Sequence, residues 1–356
     1  MMLYCERRNF FWLAAVILTV GAVFQGVSTR AEEPEVPSII AFGSCAHQNR
    51  KQPIWESVVA AKPELFLFLG DNIYGDTTDM EILRGKYAQL GAKKGFQKLL
   101  ETCPVMAVWD DHDYGLNDAG VEFVQKVASQ KVFLEFWGEV EGSPRWERDG
   151  VYTARIFDGG EGRRLQVILL DTRFSRSPLT RDPNARKHRY LPDGGADKTQ
   201  LGDAQWKWLE EQLKKPADLR LLCTSIQAIP EQHPFEKWAN FPLERERLFA
   251  LIGSTGAGGV ILMSGDRHVG EISLLPATGS PGAGYPLYEI TSSGLTQAGG
   301  GYKEKNRWRI GENFRKRNFG LVRADWEKGT ATLELRDIKG VVVREQEIRL
   351  ADLSKK

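Results

Sequence analysis

The sequence predicts an α/β sandwich: two packed β-sheets with helices on their outer faces and an antiparallel component. Three observations carry that prediction. Short apolar runs bounded by turn residues recur from Ser38 to Met263, helical patterns alternate with them, and from Tyr288 onward strand-like runs follow one another with no helix between.

The runs are Ser38–Phe42, Leu65–Leu69, Val105–Trp109, Leu165–Leu170, Leu219–Thr224 and Val260–Met263, each short enough for a buried strand and each ending in a polar cluster. Between them, Pro53 opens a helix to about Ala61, Val121 to Trp137 carries apolar residues at helical spacing, Asp203 is placed to cap a helix reaching Lys214, and Pro242 starts another to Ile252. The tail adds Tyr288–Thr291, Gly320–Trp326, Thr330–Leu335 and Val341–Leu350. With 356 residues, 42% of them hydrophobic, the chain can bury a large core in one domain, and no repeat or Pro/Ser-rich linker divides it. Lys and Arg number 48 against 47 acidic residues, a balance that gives no nucleic-acid footprint and leaves local charge placement as the informative electrostatics.

The first 31 residues differ from the rest. Arg7 and Arg8 precede an apolar run from Phe10 to Phe24, and Thr29-Arg30-Ala31 offers small residues where a signal peptidase reads. At about 15 residues this run is short for a membrane span, which needs roughly 20. A cleaved signal over 1–31 is expected, leaving a catalytic domain over 32–356 that is exported to the periplasm or beyond. The paired arginines before Asn9-Phe10-Phe11 also fit a twin-arginine signal, although any two basic residues would serve an ordinary one. Cleavage removes Cys5 and leaves Cys45, Cys103 and Cys223, too few for a disulfide framework, so at least one sulfur needs another task or a dry burial.

Polar clusters follow the apolar runs: Gly43-Ser44-Cys45-Ala46-His47, Gly70-Asp71-Asn72-Ile73-Tyr74-Gly75-Asp76, Asp110-Asp111-His112-Asp113-Tyr114-Gly115 and Ser264-Gly265-Asp266-Arg267-His268. Ligands in α/β sheets gather outside the carboxyl ends of strands, so the four are expected to converge on one crevice. Each alone reads as a turn, a buried thiol or a solvated acidic loop. Together they place carboxylates, imidazoles and a thiol at equivalent strand ends. Carboxylates suit a hard cation, and thiolate with imidazole a softer one, so the mixture points to more than one metal and to the in-line displacement of phosphoester hydrolysis.

These clusters, with Asp171-Thr172-Arg173 and Glu289-Ile290-Thr291-Ser292-Ser293-Gly294, resemble in order the alkaline phosphatase D family, the PhoD-like metallophosphatases, and more distantly the purple acid phosphatases. The resemblance implies a four-layer metallophosphatase sandwich, two mainly mixed β-sheets flanked by helices. It implies a ferric ion held by Cys45, Asp71, Tyr74, Asp266 and His268, and calcium beside it on oxygens from groups such as Asp71, Asn72 and Asp111, with other divalent metals open. It also implies His112 as the acid that protonates the leaving alcohol after attack by metal-activated hydroxide, and Arg173 as a phosphate grip oriented by Asp171, with weaker support for Arg176 and Arg267. The chain departs from the family in lacking the amino-terminal β-sandwich of its larger members. Gln297 stands where many relatives have a histidine, so that loop is left out of the site.

Phosphomonoesters, phosphodiesters and phospholipid head groups all remain open as substrates, and no stable protein partner is predicted. The aromatic-rich segment from Gln227 to Arg247 reads either as a wall or lid over the substrate or as a loop packed on the body. Two other classes compete: a non-catalytic exported calcium-binding protein with a decayed site, and a lectin-like β-domain, which the scattered aromatics do not support.

Overall fold

A computed structural model describes residues 35–186, 188–300 and 304–355. The expected signal segment therefore lies outside the described residues. Twelve strands appear among the described residues, in chain order β1 (Ile39–Gly43), β2 (Leu65–Leu69), β3 (Val105–Val108), β4 (Thr153–Asp158), β5 (Arg164–Leu169), β6 (Leu219–Cys223), β7 (Val260–Ser264), β8 (Gly270–Leu275), β9 (Leu287–Ser292), β10 (Asn318–Asp325), β11 (Thr330–Asp337) and β12 (Val342–Arg349). They form two six-stranded mixed sheets, ordered β12-β11-β10-β1-β2-β3 and β4-β5-β6-β7-β9-β8. Every apolar run expected to be a strand is one. The two additions, β4 and β8, are edge strands of the second sheet, where one flank is unpaired and polar residues such as Arg155, Glu271 and Ser273 break the apolar signal.

The helices are α1 (Ile54–Ala60), α2 (Met80–Gly91), α3 (Lys94–Thr102), α4 (Asp111–Tyr114), α5 (Lys126–Trp137), α6 (Gly202–Leu213) and α7 (Pro242–Ser254). Trp55 of α1 meets Phe66 and Phe68 of β2 and Phe96 of α3, which fixes these helices on the first sheet. On the second sheet, Gln166 of β5 donates to the Gln212 carbonyl of α6. Two expected boundaries shift. The pattern from Val121 becomes helical only at Lys126, because Val121 N–H is drawn to the Arg176 carbonyl at 2.8 Å. Asp203 lies inside the first turn of α6 instead of capping it, and the Thr199 hydroxyl accepts from Gly202 N–H at 2.8 Å.

The strand interiors supply the buried core between and beneath the sheets: β2, β6 and β7 are buried along their whole length. Strands β1, β2 and β3 run parallel to one another, as do β5, β6, β7 and β9. Their carboxyl ends meet at one side of the sandwich, so the loops that follow them share one crevice. Parallel strands buried on both faces offer no polar groups until they end, which is why the polar residues accumulate there.

Candidate metal centre

The crevice is built from backbone that few residues adopt. Eight non-glycine residues among those described have positive φ, and Cys45 (62°), Asp71 (50°), Asp266 (61°) and His268 (55°) are four of them, with Asp76, Asp118 and His188 close by. Such conformations store strain and cluster where side chains must be aimed. Gly70 has φ 95°, and a Cβ there would lie 2.4 Å from Asp110 Cβ, so only glycine lets the second loop pass the third.

Asp113 ties those two loops together. Its carboxylate accepts from the backbone N–H of Asp71 and Asn72 (both 3.2 Å), from Asp110 N–H at 2.6 Å and from the Asn72 amide at 2.6 Å. The Asn72 amide also donates to the Val108 carbonyl at 3.0 Å, which leaves its Oδ1 buried with no partner. Asp111 Oδ2 accepts from Asp118 N–H at 2.7 Å, and its Oδ1 is likewise buried and unpartnered. An orphaned carboxylate oxygen such as Asp111 Oδ1 is what a hard cation would satisfy.

The donors fall into overlapping sets. Ligand atoms of Cys45, Asp71 and His268 lie within 4.8 Å of one another, and so do those of Asp71, Asp111 and His112. Asp71 belongs to both. Cys45 Sγ is 3.3 Å from Asp71 Oδ2 and 3.0 Å from Ser293 Oγ, and the Tyr74 hydroxyl is 3.1 Å from His268 Nε2. A third set joins Asp111 to Asp118 and Glu236.

Without a cation this grouping is electrostatically unfavourable. Burial pushes the Cys45 thiol up to about 12, Asp266 up to about 7 and the Asp71 carboxyl and Tyr74 phenol well above their ordinary values, while burial and Arg267 bring His268 down to about 4. A bound cation inverts the preferences of the thiol, the carboxyls and the phenol by favouring their deprotonated forms, and His268 is already held as the neutral imidazole that ligates. The orphaned Asp111 oxygen, the soft donors on one side of Asp71 and the oxygens on the other all fit metal ions.

His112 behaves differently. Burial alone would lower its pKa, but Asp111 and Asp76 outweigh that and hold it at about 9; Nδ1 lies 2.7 Å from Asp76 Oδ1. Asp76 therefore fixes the ring and leaves the other nitrogen for a ligand or substrate.

A family model described as PhoD-like phosphatase matches residues 40–336. The chain belongs to the PhoD-like phosphatase family. It is accordingly a phosphoric ester hydrolase. A structure of PhoD superposes with a TM-score of 0.71 at 17% identity, over 89% of this chain and 69% of that one. The purple acid phosphatase PPD1 of yellow lupin (Lupinus luteus) gives 0.60 at 14%, over 90% and 55%, and GAP50, the anchor in the inner membrane complex of Plasmodium, gives 0.58 at 12%, over 88% and 89%. At these identities the likeness is one of fold. Among curated protein sequences, none matches.

In this PhoD-like chain the structure gathers Cys45, Asp71, Tyr74 and His268 at one position and Asp71, Asp111 and His112 beside it, while the Asn72 amide is held against Asp113 and the Val108 carbonyl. Asp266 and His268 line the cleft above, which holds about 720 Å³. Arg173 requires a correction. It is fully buried, with Nε 2.6 Å from Asp110 Oδ1 and Nη1 2.6 Å from Glu236 Oε2, so its guanidinium faces buried carboxylates and does not line the cleft. Asp171 does not orient its guanidinium but accepts from the Arg173 and Phe174 backbone N–H groups. Arg176 is buried too, with Nε 3.2 Å from Glu236 Oε1, whereas Arg267 does line the cleft.

The loop after Gly294, left out of the sequence-based site, supports it: Thr296 and Gln297 N–H groups donate to the Cys45 carbonyl. Within the Gln227–Arg247 segment, Trp238 and Phe241 are core residues, while His233 to Glu236 form a cleft wall. Asp118, Glu236 and His188 have no strand-end signal in the sequence, whereas Asp76 stands in the same strand-end cluster as Asp71. Cys45, Cys103 and Cys223 are all buried free thiols, and of the three Cys45 alone falls in a candidate metal-donor set among the described residues.

Proposed function

We propose that the protein is an exported phosphoesterase that depends on two adjacent metal ions, iron on the Cys45 side and calcium on the Asn72 side, and hydrolyses phosphomonoesters, phosphodiesters or both. The observation that carries this reading is the position of Asp71, whose carboxylate belongs at once to a thiol–imidazole set and to an oxygen-rich set. Cys45, Tyr74, Asp71 and His268, with Asp266 beside them, would hold the softer ion; Asp71, Asn72 and Asp111 would hold the harder one. When bound, the metals supply charge neutralisation at the phosphoryl oxygens and acidify a water to serve as nucleophile.

The chain's own residues do the rest. His112, charged through most of the neutral range and aligned by Asp76, delivers a proton to the departing alkoxide. Asp113 keeps the two ligand-bearing loops in register. The alternative of a non-catalytic binding protein has a structural counterpart in the Plasmodium anchor, but the aligned His112–Asp76 pair serves proton transfer and would have no use in a merely structural metal site. The expected export rests on the basic and apolar character of residues 1–31.

Elemental analysis of protein recovered after export, together with assays on matched mono- and diesters, tests the proposal. Iron and calcium near stoichiometry with a visible charge-transfer band are expected, and Cys45→Ser is expected to lose band, iron and turnover together. Colourless, iron-free, fully active protein would overturn the iron assignment, and full activity after exhaustive chelation would overturn metal dependence.

A further inference from the structure

The wall of the cleft that faces the metal centre carries groups the reaction so far does not use. His233 is 4% exposed, lines the cleft, and neither ring nitrogen has a hydrogen-bond partner. Leaving a buried polar group unsatisfied costs about 1–3 kcal/mol, so an imidazole in this state is best explained by a ligand that completes it. Its neighbours are cationic. Burial, with Arg267 and Lys237 acting in the same direction, keeps the ring neutral, with one N–H donor and one acceptor.

Two residues along, Phe235 is sandwiched. The Arg189 guanidinium lies 3.7 Å and that of Arg267 3.9 Å from the ring centroid. Two guanidiniums that close to one centroid cannot share a face, so they occupy opposite faces and the ring holds both rigid at the cleft. Lys305 adds a further positive charge to the same wall. The carboxylates facing Arg267 are Glu304, in contact with it, and Asp266 at 3.8 Å. Asp266 belongs with the metal donors, so a bound cation draws on that charge and leaves the wall more positive.

We propose that His233, with Arg189 and Arg267 braced on Phe235, forms a second anion subsite that selects phosphate esters whose leaving group carries an anionic group of its own. The subsite rests on the phosphoesterase reading, since the metal centre takes the reacting phosphoryl group and this wall takes the far end of the leaving group. An anion there would accept from the His233 N–H and from Arg267 Nε, which is buried without a hydrogen-bond partner, while the Arg189 guanidinium adds positive charge.

The test uses metal-loaded full-length protein and two ligands that cannot be hydrolysed, propane-1,3-bisphosphonate and propylphosphonate, with affinities measured by calorimetry. The wild type is expected to bind the bisphosphonate at least about tenfold more tightly. His233→Ala and Arg189→Gln are each expected to bring the ratio of the two affinities to within about threefold, and His233→Asn, which restores an N–H donor, to recover part of it. Should His233→Ala not fold, Arg189→Gln, at a half-buried position, carries the test. Equal binding of both ligands by the wild type, or an undiminished ratio in the folded variants, would overturn the subsite. Because neither ligand is turned over, that result is separate from whether esters are hydrolysed.

Discussion

Two regions beneath the cleft bury charge at similar density and resolve it in opposite ways. In the Asp110–Arg173–Glu236–Arg176 network, two carboxylates meet two guanidiniums, all fully buried or nearly so; burial alone would strip Arg173 of its proton, but Asp110 and Glu236 hold it there. A few residues away, Asp71, Asp111, Asp266, Cys45 and Tyr74 crowd together with imidazoles and Arg267 but no comparable set of cations. The first region is balanced in charge by its own ion pairs, although Asp110 Oδ2, Arg173 Nη2, Arg176 Nε and Glu236 Oε1 have no hydrogen-bond partner. The second gathers acidic donors without matching cations of the protein, the arrangement that the proposed metal ions would complete, and this difference separates scaffold from candidate site.

The sharpest way to break the comparison is to withhold the cations. Exhaustive chelation is expected to abolish hydrolysis, which assay and metal reconstitution check. The metal-free protein is further expected to lose stability as pH rises. Asp71 and Asp266 have folded-state pKa values raised above the unfolded ones, to about 7 for Asp266, so their contribution is full below the unfolded value and is lost as pH climbs through about 7. Thermal melts from acid to neutral pH, with and without metals, read this directly; a metal-free melting point that does not fall would contradict it.

His112→Ala comes next. Turnover should fall by about two to four orders of magnitude, most on poor leaving groups, with metal content near normal. Retained activity on such substrates would remove the acid from the mechanism.

Arg173→Ala acts on the charge-balanced region and should act on folding. Opening a buried ion pair costs about 3–5 kcal/mol, so denaturant midpoints are expected to drop steeply. A stable, folded Arg173→Ala protein would mean that this network is less tightly balanced than its geometry shows.

The smallest effect expected is that of Asp76→Asn, which keeps the ring contact but removes its charge. Losses in kcat of about 10–100-fold with a downward shift of the basic limb of the pH profile would mark Asp76 as a positioning residue. An unchanged profile would leave His112 to Asp111 alone.

Much of this was legible in the sequence because buried strands announce themselves. Runs such as Leu65–Leu69 and Val260–Ser264 must be apolar throughout and must stop where the chain reaches solvent or a ligand, so Cys45, Asp71, Asp111, Asp266 and His268 could be placed at the strand ends by local pattern. Partner choice was not legible. Asp110 and Arg173 are separated by 63 residues, as are Arg173 and Glu236, and nothing local tells an arginine at a strand end whether it will face a phosphate or two buried carboxylates. His233 and Trp238 lie in one aromatic-rich loop, yet one borders the cleft and the other is core. Local sequence determines where a strand must end and which donors stand there, because burial and backbone pairing act over a few residues. Which charges neutralise one another, and which remain for a metal or a substrate, is decided only when distant loops close on a common crevice.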